Sequence, residues 1–402
     1  MRGAGRPRER AFRRDRLTLT LDGTFATWGW FLYAFTPTVP QIAREQDISF
    51  GLAGLHGTAM ALGSVVSGLI TPQIAPRLGR RAQHLIGSAA LVAGVVALVL
   101  GTTLPFTLPA VFVLGLGGNL TITAAQPALV VHHGAAGPSA VTEANGIGSG
   151  VGILAPLAVG VTLAAGWGWR PAVAVTALLA VGVAVAVATL RGEPAMDRPA
   201  PVARDARPVE GRFPAAMWFF WAAMLCGAAI EFSTTFWAAD VLQTRAGASP
   251  SQATAAVTGL IAGMTVSRFV LGPIAARKAP EKLLLVGYTV ALVGWAVFWT
   301  ATSPAVAVAG LVVAGFGYGP HYPLSVSLVL RAAGARPDKA QGIASLGVGL
   351  AVGLAPFALG TLADAVGTHR AFLLVAVLLV LGGLAVALGL RSVHAAIRRA
   401  AA

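Results

Sequence analysis

Long apolar runs separated by short polar intervals fill almost the whole chain. Twelve such runs hold about 20 residues each and few or no charges, which is the length and composition of helices that cross the hydrocarbon core of a bilayer. The strands of a membrane barrel are shorter and alternate between apolar and polar positions, so they do not fit these runs. The pattern predicts an all-α polytopic membrane protein with twelve transmembrane helices. The runs lie at residues 18–40, 52–76, 83–101, 107–130, 144–166, 171–190, 214–240, 252–275, 283–302, 304–330, 341–363 and 371–390.

The composition agrees with this class, because 56% of the 402 residues are hydrophobic and only 11% are charged. The net charge of +14 does not indicate nucleic-acid binding, because 24 of the 29 Lys and Arg residues fall in segments on one side of the bilayer. Basic residues are enriched in the cytoplasmic segments of membrane proteins. The distribution therefore predicts a multi-pass protein of the cytoplasmic membrane with both termini in the cytoplasm.

The interval 191–212 is the one long polar segment between apolar runs, and it is rich in Pro and charge. Such a composition predicts a cytoplasmic linker between two groups of six helices. The predicted organisation is a basic cytoplasmic tail at 1–17, an N-terminal half at 18–190, a linker at 191–213, a C-terminal half at 214–391 and a cytoplasmic tail at 392–402.

The two halves match each other at a constant offset of 200 residues, as Gly115 and Gly117 do with Gly315 and Gly317. One offset that holds in several helices indicates duplication. Two six-helix halves in parallel repetition, joined by a cytoplasmic linker, resemble the major facilitator superfamily. The resemblance implies alternating access to a central solute site, and we expect a monomer. Further pairs at this offset are Ser67 and Ser267, Gly87 and Gly287, Pro156 and Pro356, Gly160 and Gly360, and Arg170 and Arg370.

The segment PQIAPRLGRR after the second helix is similar to a cytoplasmic motif of that superfamily. Arg77, Gly79, Arg80 and Arg81 match the motif, and the resemblance implies that they form a cytoplasmic gate. Two prolines replace the Gly and the Asp that the family usually carries, so the usual lock through the aspartate is not expected. The alternative interpretation is that the arginines only set the topology.

Three short motifs bear on the substrate. GMTVSRF at 263–269, with Glu231 in the preceding helix, is similar to rhizopine-uptake proteins, and GFGYGPHYP at 315–323 resembles the tenth helix of fucose and related sugar permeases. GILAPLAVG at 152–160 resembles the antiporter motif of drug exporters. Because the eleventh helix repeats it as GLAPFALG, close packing of small residues with a proline bend is the simpler explanation.

Glu231 and Arg268 are the ionisable residues deepest in the apolar runs. A charge near the bilayer centre is costly, at about 2.5–3.5 kcal/mol, so it normally faces a partner or a cavity. Helical rise separates the two by roughly 13 Å along the membrane normal, but their side chains lean toward each other. We expect either a structural ion pair or a role for Glu231 in proton coupling or solute binding. Asp22 and His56 also fall within runs, near their ends.

The resemblance further implies that the first, fourth, seventh and tenth helices line the solute path. Each polar or aromatic residue there has an alternative role, as an interfacial anchor or as a bond between helices. The candidates for solute contact are Trp30, Tyr33, Asn119, Gln126, Phe232, Thr235, Trp237, His321 and Tyr322.

The sequence shows no nucleotide-binding loop, catalytic triad, carboxylate pair or His/Cys cluster, so we expect no enzyme activity, catalytic residue, cofactor or metal. The predicted function is secondary active transport of a small organic solute by alternating access, coupled to protons. The direction stays open, and uptake of a sugar-like or polyol solute is one of two close interpretations. One alternative is proton-driven efflux of amphipathic, drug-like compounds. An alternative of another class is a membrane receptor or scaffold that transports nothing.

Overall fold

The computed structural model describes residues 14–198, 212–275, 279–334 and 337–401. Within these ranges the chain consists of helices and short connections, without a strand. Most of the predicted tail at 1–17 and of the linker at 191–213 lies outside the described residues. The helices of the N-terminal half are α1 (Arg16–Phe35), α2 (Val39–Glu45), α3 (Phe50–Leu78), α4 (Arg80–Leu100), α5 (Leu104–His133), α6 (Gly137–Ala164) and α7 (Arg170–Thr189).

The C-terminal half has the same order of long helices. Two of its predicted spans are divided, so that α11 and α12 form the tenth, and α14 and α15 the twelfth. Its helices are α8 (Ala215–Ala246), α9 (Pro250–Ala275), α10 (Pro280–Thr300), α11 (Pro304–Tyr318), α12 (His321–Ala332), α13 (Pro337–Val366), α14 (Thr368–Ala371) and α15 (Leu373–Ala401).

Local sequence signals set several helix ends. Asp15 caps α1 by accepting a hydrogen bond of 2.9 Å from the backbone N–H of Thr18, and the Ser49 side chain caps α3 in the same way. Such caps satisfy backbone donors that lack a partner within the helix. Gly247 ends α8 with a left-handed φ of 70°, a conformation that glycine adopts without steric cost.

The all-α prediction is confirmed, with three local differences. Eleven described spans, and not α1, are long and apolar enough on their own to cross a membrane. Helix α1 contains Asp22 and several threonines but buries much of its surface in the bundle, where polar groups avoid lipid. The run 304–330 breaks at Gly319 and Pro320, because proline cannot continue a helix without distortion. Helix α15 continues to Ala401, so the described part of the predicted tail at 392–402 is helical.

The duplication appears in the packing of the long helices. A Cβ on Gly63 of α3 would overlap the carbonyl oxygen of Phe112 in α5, and a Cβ on Gly263 of α9 would overlap that of Val312 in α11. Both residues of the second pair lie 200 positions after those of the first. The sequence repeat therefore corresponds to the same close crossing of helices in each half.

Candidate functional site

The halves touch each other along α3 with α13 and along α6 with α9. At one end of the bundle, Arg44 pairs with the buried carboxylate of Asp240 across the halves. Nearby, Asp364 accepts hydrogen bonds of 2.7 Å from the backbone N–H groups of both Phe50 and Gly51 at the start of α3. This end, marked by Asp240 and Asp364, is called the closed end.

Among the described residues, the hydrogen bonds and close glycine contacts between the halves reach about midway along these helices. The innermost are the hydrogen bond of 3.3 Å from Arg268 to Ser149 and the approach of Gly349 to Val65. Beyond them, a Cβ on Gly68 or Gly342 would meet no atom within 4 Å. Within the described residues, no hydrogen bond or ion pair crosses the halves at this end, which is called the open end. The halves therefore separate toward the end that carries the chain termini.

Glu231 lies half-buried at the middle of the bundle, where the separation begins. Its carboxylate interacts electrostatically with the guanidinium of Arg268 in α9 and with the hydroxyl of Tyr33 in α1. In the described part of the chain, Arg268 forms no ion pair within 4.0 Å with it. Arg268 instead donates to Ser149 and, at 3.4 Å, to the carbonyl oxygen of Gly319. Glu231 and Arg268 are thus neighbours, but not the direct pair that one interpretation of the sequence expected.

Close helix packing directs Tyr33 toward this point. A Cβ on Gly152 of α6 would overlap the Tyr33 ring, and one on Gly29 of α1 would overlap the backbone of Gly148. Only small residues allow two helices to approach so closely. The result is that α1, α6, α8 and α9 bring Tyr33, Glu231 and Arg268 together across the two halves; these three residues are called the central cluster.

Several other residues that were predicted to contact the solute donate hydrogen bonds to backbone carbonyl groups. The indole of Trp30 donates to the carbonyl of Ala172 at 2.9 Å, and the fully buried indole of Trp237 donates to that of Pro356 at 2.9 Å. The Asn119 amide donates to the carbonyl of Ser64 at 3.0 Å, and Thr235 donates to the carbonyl of Phe232 in its own helix. Gln126 and Phe232 are half-buried. Their roles in solute contact stay predictions.

His321 follows the break between α11 and α12. Its ring is buried and stacks on Tyr288 with the centroids 4.0 Å apart, whereas Tyr322 is 43% exposed. Within the described residues, both ring nitrogens of His321 lack a hydrogen-bond partner, and burying such groups is unfavourable. Tyr318 links His321 to Glu231, because its ring centroid lies 5.7 Å from that of His321 and its hydroxyl interacts electrostatically with Glu231.

Sequence reasoning missed two polar groups and placed a third too near the surface. It did not single out Tyr288 or Tyr318, although Tyr318 belongs to the GFGYGPHYP motif. It also placed Asp22 within reach of the interface, but Asp22 is 4% exposed and neither carboxylate oxygen has a hydrogen-bond partner among the described residues. The signal for Asp22 was visible as a carboxylate inside an apolar run.

The predicted gate residues contact their own half. Arg80 donates to the carbonyl of Ala195 at 2.9 Å, and Arg81 donates to the carbonyls at the end of α7, including Leu190. Gly79 adopts a φ of 88°, and Arg77 is exposed. In this conformation the arginines join the start of α4 to the turn after α7; a gating role stays a prediction.

Comparisons with known proteins agree with this architecture. The profile described as Major Facilitator Superfamily matches residues 23–336 and 238–401. No curated protein matches the chain.

Solved transporters share the fold at low sequence identity. A bacterial homologue of the human lysosomal transporter Spinster, in an inward-facing and unoccupied conformation, is similar with a TM-score of 0.78 and 16% identity over 95% of this chain and 98% of that chain. The xylose transporter XylE from E. coli, in a partially occluded inward-open conformation, gives a TM-score of 0.74 and 13% identity over 92% and 97%. The nucleoside transporter NupG gives 0.72 and 14% over 94% and 98%.

The family match spans nearly all of the chain, and the two packed halves have the fold of these transporters. The chain therefore belongs to the Major Facilitator Superfamily and is a transporter, not an enzyme.

Proposed function

We propose that this transporter moves a small organic solute across the cytoplasmic membrane by alternating access and couples the movement to protons through Glu231. The observation that carries the proposal is the position of Glu231. It is half-buried between the halves, next to Tyr33 of the other half and to Arg268. Ionisable residues within a membrane mark ion and proton paths more often than structural sites.

The two ends supply the conformational part of the proposal. The closed end is held by the Arg44 and Asp240 pair and by Asp364, whereas the open end lacks such bonds in the described residues. The open end also carries Arg80 and Arg331, and basic residues favour the cytoplasmic side. In the proposed orientation the structure is inward-facing, and opening of the closed end releases or admits solute outside.

Arg268 connects the proton to the conformational change. Its guanidinium donates a hydrogen bond to Ser149 of the other half and is attracted electrostatically by the carboxylate of Glu231. Protonation of Glu231 removes this attraction. The hydrogen bond to Ser149 then no longer competes with Glu231 for the guanidinium of Arg268. A ligand shifts a conformational equilibrium only by interacting differently with the two states, and this exchange of partners provides such a difference for the proton.

The solute that we propose is sugar-like or a polyol, taken up with protons. The half-buried side chains near the opening include Gln126 and Phe232, which offer hydrogen bonds and an apolar surface. The exporter-like segment at 152–160 has a packing explanation, since Gly152 makes room for Tyr33 and Gly160 for Ala255. Close helix packing therefore explains the small residues of this segment. Efflux, the alternative direction of transport, is not needed to explain them.

The purified protein in lipid vesicles tests the function. Labelled sugars, polyols and amphipathic cations are offered with a pH gradient of either sign. We expect a hydroxyl-rich solute to accumulate on the alkaline side and a protonophore to abolish the accumulation. Accumulation of amphipathic cations on the acidic side would favour efflux, and folded protein that moves no solute would support the scaffold alternative.

The orientation has its own test. In a Cys226→Ala background, cysteines replace Arg191 near the open end and Ser249 in the loop after α8, both of which are exposed. An impermeant thiol reagent applied outside intact cells should label only the Ser249→Cys protein. Labelling of the Arg191→Cys protein from outside would overturn the proposed topology.

A further inference from the structure

A cavity of about 510 Å³ opens beside the start of α4, outside the central cluster. Helix α4 begins directly after Gly79, and the turn that follows α7 packs against it. Arg80 fixes this arrangement by donating its backbone N–H to Asp197 and its side chain to Ala195. The cavity is lined by Leu78, Gly79, Arg81, Ala82, Leu85, Met196, Asp197 and Arg198.

Arg81 and Arg198, two cationic residues of the lining, have N–H groups that donate no hydrogen bond among the described residues. Arg81 bonds the end of α7 through one guanidinium nitrogen, Nη1, and its other nitrogens have no partner among the described residues. Arg198 is exposed and makes no side-chain hydrogen bond in that part of the chain. Guanidinium groups bind phosphate well because their planar donors match its oxygens. The lining thus offers a place for one anionic group.

The rest of the cavity is apolar and continues onto the surface of the bundle. Leu85 and Met196 line the cavity, and Leu78 and Ile86 beside it are 54% and 43% exposed. The start of α4 lies at the level of the lipid headgroups. Exposed apolar side chains further along the same helix face the acyl chains. A ligand with an anionic head and an apolar body fits both parts.

We propose that this cavity binds the headgroup of an anionic phospholipid, with the phosphate between Arg81 and Arg198 and an acyl chain along Leu78 and Ile86. Basic pockets next to transmembrane helices bind anionic lipids through such contacts. Asp197 is the one carboxylate in the lining, and it opposes the bound anion. The site does not depend on the proposed solute or on proton coupling.

Native mass spectrometry of the detergent-purified protein titrated with phosphatidylglycerol measures the binding. We expect Arg198→Gln to weaken it about fivefold, as expected for the loss of one basic contact. The matched control is Arg191→Gln, which removes an exposed arginine of the same segment that does not line the cavity. Asp197→Asn should tighten binding by a similar factor, and Ala82→Phe should weaken it by placing a ring inside the cavity while keeping every charge.

Thermal melting of each variant shows whether it is folded. Equal losses in Arg191→Gln and Arg198→Gln would overturn the proposal in favour of diffuse attraction. Weaker binding of phosphatidylglycerol to Asp197→Asn would also overturn the proposal, because it would show that this carboxylate does not oppose the bound headgroup. Displacement of the lipid by an equal concentration of inorganic phosphate would show a site for free phosphate.

Discussion

Gly115 in the N-terminal half and Gly315 in the C-terminal half occupy equivalent positions in α5 and α11. A Cβ on the first would overlap the carbonyl oxygen of Met60, and a Cβ on the second would overlap that of Leu260. The partners are themselves equivalent at the offset of 200 residues. The close contacts that build each half have been kept in both copies.

The polar residues at equivalent positions differ. Arg268 corresponds to Gly68, and His321 corresponds to Thr121. The helix break that precedes His321 has no counterpart, because α5 continues through the equivalent residues. Packing is therefore symmetric, whereas Glu231, Arg268 and the broken helix lie in the C-terminal half. The repeat therefore accounts for the packing of both halves, and the residues to which the proposed coupling is assigned have no counterpart in the first copy.

The largest effect is expected from Arg268→Ala. Removing Arg268 leaves the half-buried Glu231 without its neighbouring cation, which is unfavourable although the two form no direct pair. Folded protein, measured by size-exclusion chromatography, should fall strongly, and adding Glu231→Gln should restore much of it without restoring accumulation. Gly68→Ala at the equivalent position and Arg245→Ala at an exposed one are the controls. Additive losses in the double variant would show that the two charges do not interact.

Gly115→Ala and Gly315→Ala should destabilise the protein by similar amounts. Overpacking of a close helix contact costs about 1–3 kcal/mol, which exceeds the gain of about 1 kcal/mol in helix propensity. Gly182→Ala is the matched control, because a Cβ there meets no atom within 4 Å, and it should be neutral or stabilising. Thermal unfolding in detergent gives the comparison. A large loss in only one half would contradict symmetric packing.

Asp364→Asn should loosen the closed end. The charged side chain accepts from two backbone N–H groups at the start of α3. Asn keeps only one acceptor oxygen, so one of these bonds is lost at a cost of about 1 kcal/mol, or about fivefold in an equilibrium. Phe232→Cys in a Cys226→Ala background reports the opening through its reaction with an impermeant reagent added from the closed side. The rate should rise about fivefold. An unchanged rate, with Asp240→Asn also ineffective, would mean that these carboxylates do not hold the end shut.

The smallest effect concerns a pair found in one half. Hydrogen bonds from Arg170 hold the pKa of the Glu45 carboxyl below its ordinary value, whereas the equivalent Arg370 forms no ion pair among the described residues. A carboxyl whose pKa is lowered in the folded state stabilises the protein at pH values above its ordinary pKa of about 4.3. This stabilisation is lost as the pH falls through the folded pKa. Glu45→Gln should lower the melting temperature slightly at neutral pH and not at low pH. A constant difference across pH would exclude this ionisation as the cause.

Much of the fold follows from the sequence because apolar length and repeat spacing are local properties. The same patterns could not tell which neighbour a side chain meets. Trp30 is a candidate for the solute path, and the sequence did not indicate that its indole bonds Ala172 of α7. The rise along two helices gave the depth of Glu231 and Arg268 but not the tilt or the crossing that brings Arg268 to Ser149. Pro320 was a visible signal for the helix break.

The most direct test of the central claim compares accumulation with exchange in Glu231→Gln. The amide resembles the protonated carboxyl but cannot release a proton. In vesicles, we expect gradient-driven accumulation to be lost while exchange of labelled for unlabelled solute continues, and Glu143→Gln outside the central cluster should retain both. Accumulation at the wild-type level in Glu231→Gln would contradict coupling through this residue.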